Sequence, residues 1–543
     1  MTEKYPLIEK NASLVYVIAY AALLFIPFIG SVHLFDWDEI NFAESAREML
    51  VTRDYLHVQI NFTPFWEKPP FFFWLQALSM KVFGVNEFAA RFPNALCGIV
   101  TLASLFYIGK REASRNMAIW WVLFMAGSFT PHLYYKSGII DPWFNLFIFL
   151  SLYQCIKASS GHTNSKSDLN YVYAGLFAGM AFITKGPVAL LVIGLCVLVF
   201  TAFNRFRFFF SFRQLMMGII PFVFIASVWV AAEINQNGFQ VLIDFINYQI
   251  DLFKNPVAGH GQPFYYHALV LLAGCFPASL FFLAGVRLGY IEPNRQHFFK
   301  WMSILFWVVL VLFSSVTTKI VHYSSLCYIP LTCIAAAYTH HLLSSRTRPN
   351  SFFYTAFSVM AWLIGALLTA LPFIDSLKPH LLPFIKDEFA ADCLSIPSPW
   401  SGYEVIPGLL FVMVYVFFIL LSIQQRLLTA IRLLLLGSSL LIPMYLYIVI
   451  PDVEAYTQGP AIEFYEQLGK QNVYVETLGH KSYAQYFYAQ SKPRPDNSME
   501  WLMSNKTDKP VYFVAKTTYV KNNRDERLEE VRRKGGFVLL RKK

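Results

Sequence analysis

Charge is what this chain has least of. Only 14% of its 543 residues are Asp, Glu, Lys or Arg, where a soluble domain would carry about 25%. With 56% hydrophobic residues beside that deficit, an ordinary soluble enzyme is excluded. Cysteine is sparse too. Its seven copies, Cys97, Cys155, Cys196, Cys275, Cys327, Cys333 and Cys393, show no paired or metal-ligand spacing, so neither a disulfide framework nor a zinc ribbon is implied. A small-x-small cleavage site is also missing ahead of Asp36. The first apolar stretch is therefore expected to remain as a membrane helix, not to leave as a signal peptide.

What the chain has in abundance is long hydrophobic runs. Spans of about 20 apolar residues suffice to cross a bilayer. We read thirteen, at 12–30, 93–109, 117–135, 139–157, 171–184, 187–204, 215–233, 264–286, 301–317, 323–343, 352–374, 404–423 and 429–450. The expected fold class is a polytopic α-helical membrane protein. Alternate loops carry Lys110, Arg111 and Arg115, then Lys157 and Lys166, Arg205, Arg207 and Arg213, Arg287, Arg295 and Lys300, Arg346 and Arg348, and Arg426 and Arg432. The positive-inside rule puts these loops and the N-terminus in the cytoplasm. Segments 31–92, 234–263 and 375–403 and the C-terminal tail then share the outer side. The net charge of +10 is this topology signal and points to no nucleic-acid partner.

The character changes near residue 452, dividing the chain into a membrane domain, 1–451, and a small α/β domain outside the membrane, 452–543. Within the latter, Asn472–Leu478, Pro510–Lys516 and Gly536–Arg541 read as strands. Ala461–Lys470, Lys481–Gln490 and Asn523–Lys534 read as helices. This domain shows no nucleotide-binding glycine pattern and no catalytic cluster, which suits packing or acceptor docking. In the first outer segment, Ile40–Leu50 and Phe71–Phe83 read as interfacial helices, the first turning Glu44, Arg47 and Glu48 to water. Segment 234–263 opens with the amphipathic stretch Phe239–Phe253 and ends in a glycine- and proline-rich run. That run fits a hinged lid and ordinary loop chemistry about equally.

The polar residues left over are concentrated on the outer side. Asp36, Asp38 and Glu39 follow the first span directly. They fit a capping box ahead of a helix, but a cap needs one or two acids, and three carboxylates in four residues repel one another. A carboxylate at the membrane surface can instead bind an acceptor or take its proton. Next comes Glu67-Lys68-Pro69-Pro70, where the prolines restrict the backbone of the charged pair. Lys68 suits a phosphate, and Glu67 a sugar hydroxyl or a metal; a surface ion pair is the plain alternative. Lys136, Lys185 and Lys319 stand in short outer turns where the positive-inside rule disfavours cations. An anionic phosphate headgroup explains all three together with Lys68, and snorkelling explains any one of them. Asp141, at a span edge, is either functional or a cap before Pro142. His260, His267 and His322 fit structural hydrogen bonding as readily as ligation.

Taken in order, several motifs resemble one family. These are Asp38-Glu39 with its amphipathic helix, Glu67-Lys68-Pro69-Pro70 with Trp74-Leu75-Gln76-Ala77, and Phe83-Gly84-Val85-Asn86-Glu87-Phe88-Ala89-Ala90-Arg91. Asp141, Thr184-Lys185-Gly186-Pro187, His260-Gly261-Gln262-Pro263-Phe264-Tyr265-Tyr266 and Lys319 … His322-Tyr323 complete the set. Together they look like the bacterial GT-C glycosyltransferases, which include the 4-amino-4-deoxy-L-arabinose lipid A transferases and the bacterial relatives of protein O-mannosyltransferases. The resemblance covers the membrane part of the chain.

It implies a sugar donor linked to undecaprenyl or another polyprenyl phosphate, used at the periplasmic face of the bacterial inner membrane, with lipid A or another periplasmic acceptor and inversion at the anomeric carbon. By the same resemblance Asp38, Glu39 and Asp141 are the catalytic acids, and Lys68, Lys136, Lys185 and Lys319 hold the donor phosphate. Glu67, His260, Tyr265, His322 and Tyr323 line the substrate. No cofactor is required, and a divalent metal, zinc in kind, is implied only at Glu67 and His260. If the acceptor is a hydroxyl of a protein or glycan, Asp38 is the candidate base. If it is a lipid A phosphate, already ionised, Asp38 positions groups. A transporter is the rival of another class, but it would place its binding groups at mid-span on broken helices in two related halves. Here the unusual charges sit at the outer ends.

Overall fold

The computed structural model describes residues 12–65, 67–160, 168–254, 261–287 and 296–543. Helices occupy each of the thirteen apolar stretches. Among the described residues, seven single helices are long and apolar enough to cross a membrane. An eighth is added if Tyr266–Gly274 and Ala278–Val286, bent by 116° at Cys275–Pro277, count as one. The protein is thus a multi-pass membrane protein, with fewer unbroken spans than expected. Ser128 divides one stretch into Arg115–Gly127 and Phe129–Tyr134. In Asp141–Ser159, the polar Asp141, Asn145, Gln154 and Lys157 dilute the apolar run. Such helices are supported inside the bundle by their neighbours: Asp141–Ser159 packs closely along Asp168–Lys185.

At one end of the bundle four elements frame the site: α1 (Ala12–Phe25), α2 (Asp38–Thr52), α3 (Phe71–Phe83) and α4 (Glu87–Glu112). Between α2 and α3 runs a short hairpin, β1 (Gln59–Ile60) and β2 (Thr63–Pro64). The expectation that α2 turns charge to water does not hold. Glu44, Arg47 and Glu48 are all buried, because α2 lies in an apolar cluster that joins α3 to the C-terminal region. The buried charges pair internally. Arg47 Nε and a terminal amine donate to Glu44 at 2.7 and 2.6 Å. Glu48 accepts the backbone N–H of Asn61 at 2.6 Å and of Phe62 at 2.8 Å. Both turn residues have φ of 56°, a conformation that costs energy for side chains other than glycine; the Glu48 carboxyl offsets that cost.

Burial, reinforced by the nearby charge of Glu44, pushes Glu48 from 4.5 up to about 9. The folded chain therefore keeps a proton that the unfolded chain sheds above 4.5, so stability falls as pH rises between these two values. The slope reaches at most about 1.4 kcal/mol per pH unit for one proton. Thermal unfolding followed across this window should show the midpoint declining, and Glu48→Gln should flatten the decline.

The C-terminal region forms a four-stranded sheet: β3 (Tyr474–Leu478), β4 (Val511–Lys516), β5 (Leu528–Lys534) and β6 (Phe537–Lys542), in the order β3-β4-β6-β5. β3 and β4 run parallel; the other pairs are antiparallel. Three expected strands are present, but Asn523–Lys534, expected as a helix, contains the exposed edge strand β5. Its Glu and Arg residues favour a helix locally. Pairing with β6 through the two-residue turn Gly535-Gly536, Gly535 at φ 54°, overrides that preference.

Candidate active site at one end of the bundle

The site is assembled around Asp38, the first residue of α2. Its carboxylate Oδ2 lies 3.3 Å from His322 Nε2, and the same nitrogen lies 3.9 Å from Asp141 Oδ2. The other oxygen of Asp141 accepts from Lys185 Nζ at 2.5 Å. Asp38, His322, Asp141 and Lys185 thus form a continuous chain of alternating charge when His322 is protonated. They come from four separate segments, each entering at its terminus: the start of α2, the turn Val321–Cys327, the start of Asp141–Ser159 and the end of Asp168–Lys185. Lys185 Nζ also sits 5.1 Å from the centre of the Tyr323 ring and 5.8 Å from that of Phe144, a cation–π setting.

Lys68 joins the cluster from the loop before α3. Its Nζ lies 3.8 Å from Glu67 Oε2. Burial pushes the ammonium below its ordinary range and the charge of Lys185 adds to this, while Glu67, Asp38 and Asp141 pull it back. Lys68 therefore shares one electrostatic environment with all of these groups. A narrow cleft below the cluster is lined by Lys68, Asp141, Lys185 and Tyr323, and then by apolar Val192 and Phe313. Cations at the mouth and a hydrocarbon floor suit a lipid phosphate.

Three supporting residues escaped the reading of the sequence. Asn145 donates to the Tyr134 hydroxyl at 2.5 Å and to Ser325 Oγ at 2.8 Å. Ser325 in turn bonds the carbonyl of His322. This buried triad fixes the His322 turn against the Asp141 helix. The available signal was spacing, since Asn145 lies one turn beyond Asp141 on the same helix face.

The other expected residues lie elsewhere. Glu39, expected as a catalytic acid, is buried and faces away from the cleft: its two oxygens accept from Arg91 at 3.0 and 2.7 Å. Phe35 N–H donates to it at 2.8 Å, and Gly138 N–H donates as well. With its acceptor sites committed, Glu39 is a structural fastener, which corrects the expectation. Lys136, expected at the donor phosphate, donates to the carbonyls of Leu24, Phe25 and Pro27 at 2.9, 3.3 and 2.7 Å. It closes the C-terminal end of α1, where the helix dipole favours a cation, and this too corrects the expectation. Lys136→Met should cost about 1–3 kcal/mol by stranding buried carbonyls, read as a lower unfolding midpoint with the donor KM unchanged.

Lys319 is buried and donates to Val316 O at 2.6 Å, three residues from His322. Tyr265 is exposed ahead of helix Tyr266–Gly274. Among the described residues it joins none of the ion pairs of the cluster. His260 lies outside the described residues. Among those described, no three His, Cys, Asp or Glu side chains converge to hold a metal ion.

Comparison with known proteins gives a consistent result. The family described as dolichyl-phosphate-mannose-protein mannosyltransferase matches residues 67–230, which include Lys68, Asp141 and Lys185. An undecaprenyl phosphate-alpha-4-amino-4-deoxy-L-arabinose arabinosyl transferase from Pectobacterium carotovorum is 26% identical over 77% of this chain and 72% of its own length. The counterpart from Edwardsiella ictaluri is 27% identical over 58% of this chain, which spans only 57% of that relative. In fold, the chain is similar to the crystal structure of ArnT from Cupriavidus metallidurans bound to undecaprenyl phosphate. The TM-score is 0.77 over 98% of both chains at 17% identity.

Proposed function

We propose that this chain, a membrane glycosyltransferase similar in sequence and fold to the aminoarabinose transferases, moves a sugar from a polyprenyl-phosphate donor to a phosphate of a lipid A-type acceptor. The cluster of Asp38, His322, Asp141 and Lys185, with Lys68 beside it, carries this reading. It sets carboxylates and cations over a cleft whose floor is hydrocarbon. The chain would reside in the bacterial inner membrane with this end and residues 452–543 on the periplasmic side, its helices making up to thirteen crossings.

The chemistry follows from the charges. An acceptor phosphate is already ionised near neutral pH, so no base is needed. One of its oxygens attacks the anomeric carbon of the donor from the face opposite the leaving group. A new carbon–oxygen bond forms as the bond to the polyprenyl phosphate breaks, and the electron pair leaves with the phosphate oxygen. Configuration inverts in this single displacement. Lys68 and Lys185 face the charge growing on the departing phosphate. For Lys185 this means exchanging part of its bond to Asp141 for the ligand. Asp38 faces the positive charge that develops at the sugar ring carbon. The displacement consumes only donor and acceptor, and no cofactor takes part in it. Glu67 and His260 are the residues that would hold a divalent metal.

Transfer of label from polyprenyl-phosphate sugars, 4-amino-4-deoxy-L-arabinose among them, into a membrane lipid extract tests this directly. Wild type should make labelled lipid, and Lys68→Ala should raise the donor KM at least about tenfold, a loss of roughly 1.4 kcal/mol. Label arriving instead on protein or glycan would favour a hydroxyl acceptor with Asp38 as base. Absence of any transfer with intact, folded protein would overturn the reading.

A further inference from the structure

A cavity of about 370 Å3 lies where β3 and β4 begin, within the size range of small-molecule sites. Its walls come from four stretches of chain. These are Asn61 in the β1–β2 turn, the end of the helix Gly459–Gly469, residues 489–494, and Lys509 ahead of β4. Most of the lining side chains are polar or charged, unlike those of the hydrocarbon-floored cleft beneath Asp38. The cavity therefore suits a water-borne ligand and offers no path for an acyl chain.

The sign of that ligand follows from the charges. Lys470, Lys492, Arg494 and Lys509 line the cavity, and among the described residues no acid does. Arg494 is built into the wall, its side chain only 5% exposed. Its Nε donates to Asn497 at 2.8 Å, and one terminal amine donates to Glu476. The other terminal amine makes no hydrogen bond among the described residues. Glu476 is fully engaged: it also accepts from Gln485 at 2.9 Å, the Tyr486 hydroxyl at 2.8 Å and the Thr477 N–H at 3.0 Å. The buried pair is thus closed on its acidic side and open on its basic side. Lys509 Nζ rests 5.1 Å from the centre of the Tyr474 ring, a contact that leaves its charge available. Among the described residues none of the three lysines is ion-paired. A guanidinium fork with point charges around it is the donor set that phosphate favours.

The cavity also lies on a seam. The Ser491 carbonyl accepts from Arg47 of α2 at 2.8 Å, and the Asn61 carbonyl accepts from Asn497 at 2.8 Å. A ligand held between Asn61 and residues 489–494 would bridge the first outer segment and the C-terminal region.

We propose that this cavity binds a phosphate-bearing saccharide from the aqueous side. Arg494, Lys492 and Lys509 hold the phosphate, and the polar groups of Asn61, Gln471 and Gln490 meet the sugar hydroxyls. The site is separate from the cluster around Asp38 and stands independently of the glycosyl-transfer reading.

The test uses full-length protein in phosphatidylcholine nanodiscs, with glucose 1-phosphate, glucose and inorganic phosphate titrated by calorimetry. Wild type should bind glucose 1-phosphate at least about tenfold more tightly than glucose or inorganic phosphate. The same ligand should raise the unfolding midpoint. Lys492→Glu with Lys509→Glu should abolish the binding while leaving the kcat of sugar transfer unchanged. Lys386→Glu, a charge reversal outside the cavity lining, should bind as wild type does. Equal binding of glucose, or a double variant that still binds glucose 1-phosphate, would overturn the site. Inorganic phosphate binding as tightly would overturn its saccharide part. Displacement of glucose 1-phosphate by phosphatidylglycerol added to the discs would overturn the aqueous source in favour of a lipid headgroup.

Discussion

Asp38→Asn should leave a protein that inserts and unfolds like wild type but turns over at least a hundredfold more slowly, within the range of about 10²–10³ for loss of one preorganised electrostatic group. The geometry separates this from a helix-capping effect. Asp38 opens α2 and could serve only to complement its dipole. Losing that dipole interaction would cost about 0.3–1 kcal/mol of stability and leave kcat intact, so a purely structural Asp38 would tolerate the change. What asparagine cannot supply is the full negative charge 3.3 Å from His322 Nε2, facing the ring carbon as its bond to the leaving phosphate breaks.

Donor binding depends on Lys68 and Lys185 in this scheme, so the loss should fall on kcat, with the donor KM within a factor of two or three. A rate near that of wild type would sink the central role of Asp38 and return it to the helix terminus. His322→Asn provides a graded companion: it keeps a polar group but breaks the link from Asp38 to Asp141, and its kcat should lie between the other two.

The parts of this architecture that were readable from the chain are those where one local signal dominates. Thirteen apolar runs became helices because burying their hydrocarbon outweighs every local alternative, and α3 matches the expected Phe71–Phe83 in full. Asp38, Asp141, Lys185 and Lys68 could be singled out because charge at a helix end beside a membrane demands a partner. The partners themselves were not legible. Nothing local tells that Lys136 reaches back over a hundred residues to the carbonyls ending α1, or that Lys185 reaches Asp141; both choices are made by helix packing. β5 was misread for a related reason. Its charged residues carry helix propensity, while the decisive term is the long-range ladder to β6. The face of α2 was misassigned because the layer that covers it, the helix Ala484–Tyr488 of the C-terminal region, lies more than 400 residues away.

Glu39 and Arg91 should account for the largest loss of stability. Every N–H of the Arg91 guanidinium is used. Nε and one terminal amine meet the two oxygens of Glu39 at 3.0 and 2.7 Å. The remaining hydrogens reach the carbonyls of Ile29, Val32 and His33 at 2.9, 2.6 and 2.8 Å. Through Glu39 the same fastener also takes in Phe35 and Gly138. One ion pair thus fixes the segment after α1, the first turn of α2, α4 and the turn before the Asp141 helix.

Burial alone would push the Glu39 carboxyl up, but the charge and hydrogen bonds of Arg91, with the two backbone donors, outweigh it and hold the group below 4.5. Its contribution is therefore complete above the unfolded value and is lost as pH falls through the folded one. Removing one partner leaves the other buried and uncompensated, so Arg91→Ala should cost about 3–5 kcal/mol. Arg91→Lys should recover little of it, because a single ammonium cannot reproduce the fork. Glu39→Gln, which keeps the shape and loses the charge, should lie between wild type and Arg91→Ala in unfolding midpoint. The protein that folds should transfer sugar with kcat close to that of wild type. The opposite pattern, a collapsed kcat at an unchanged midpoint, would restore Glu39 to the catalytic set.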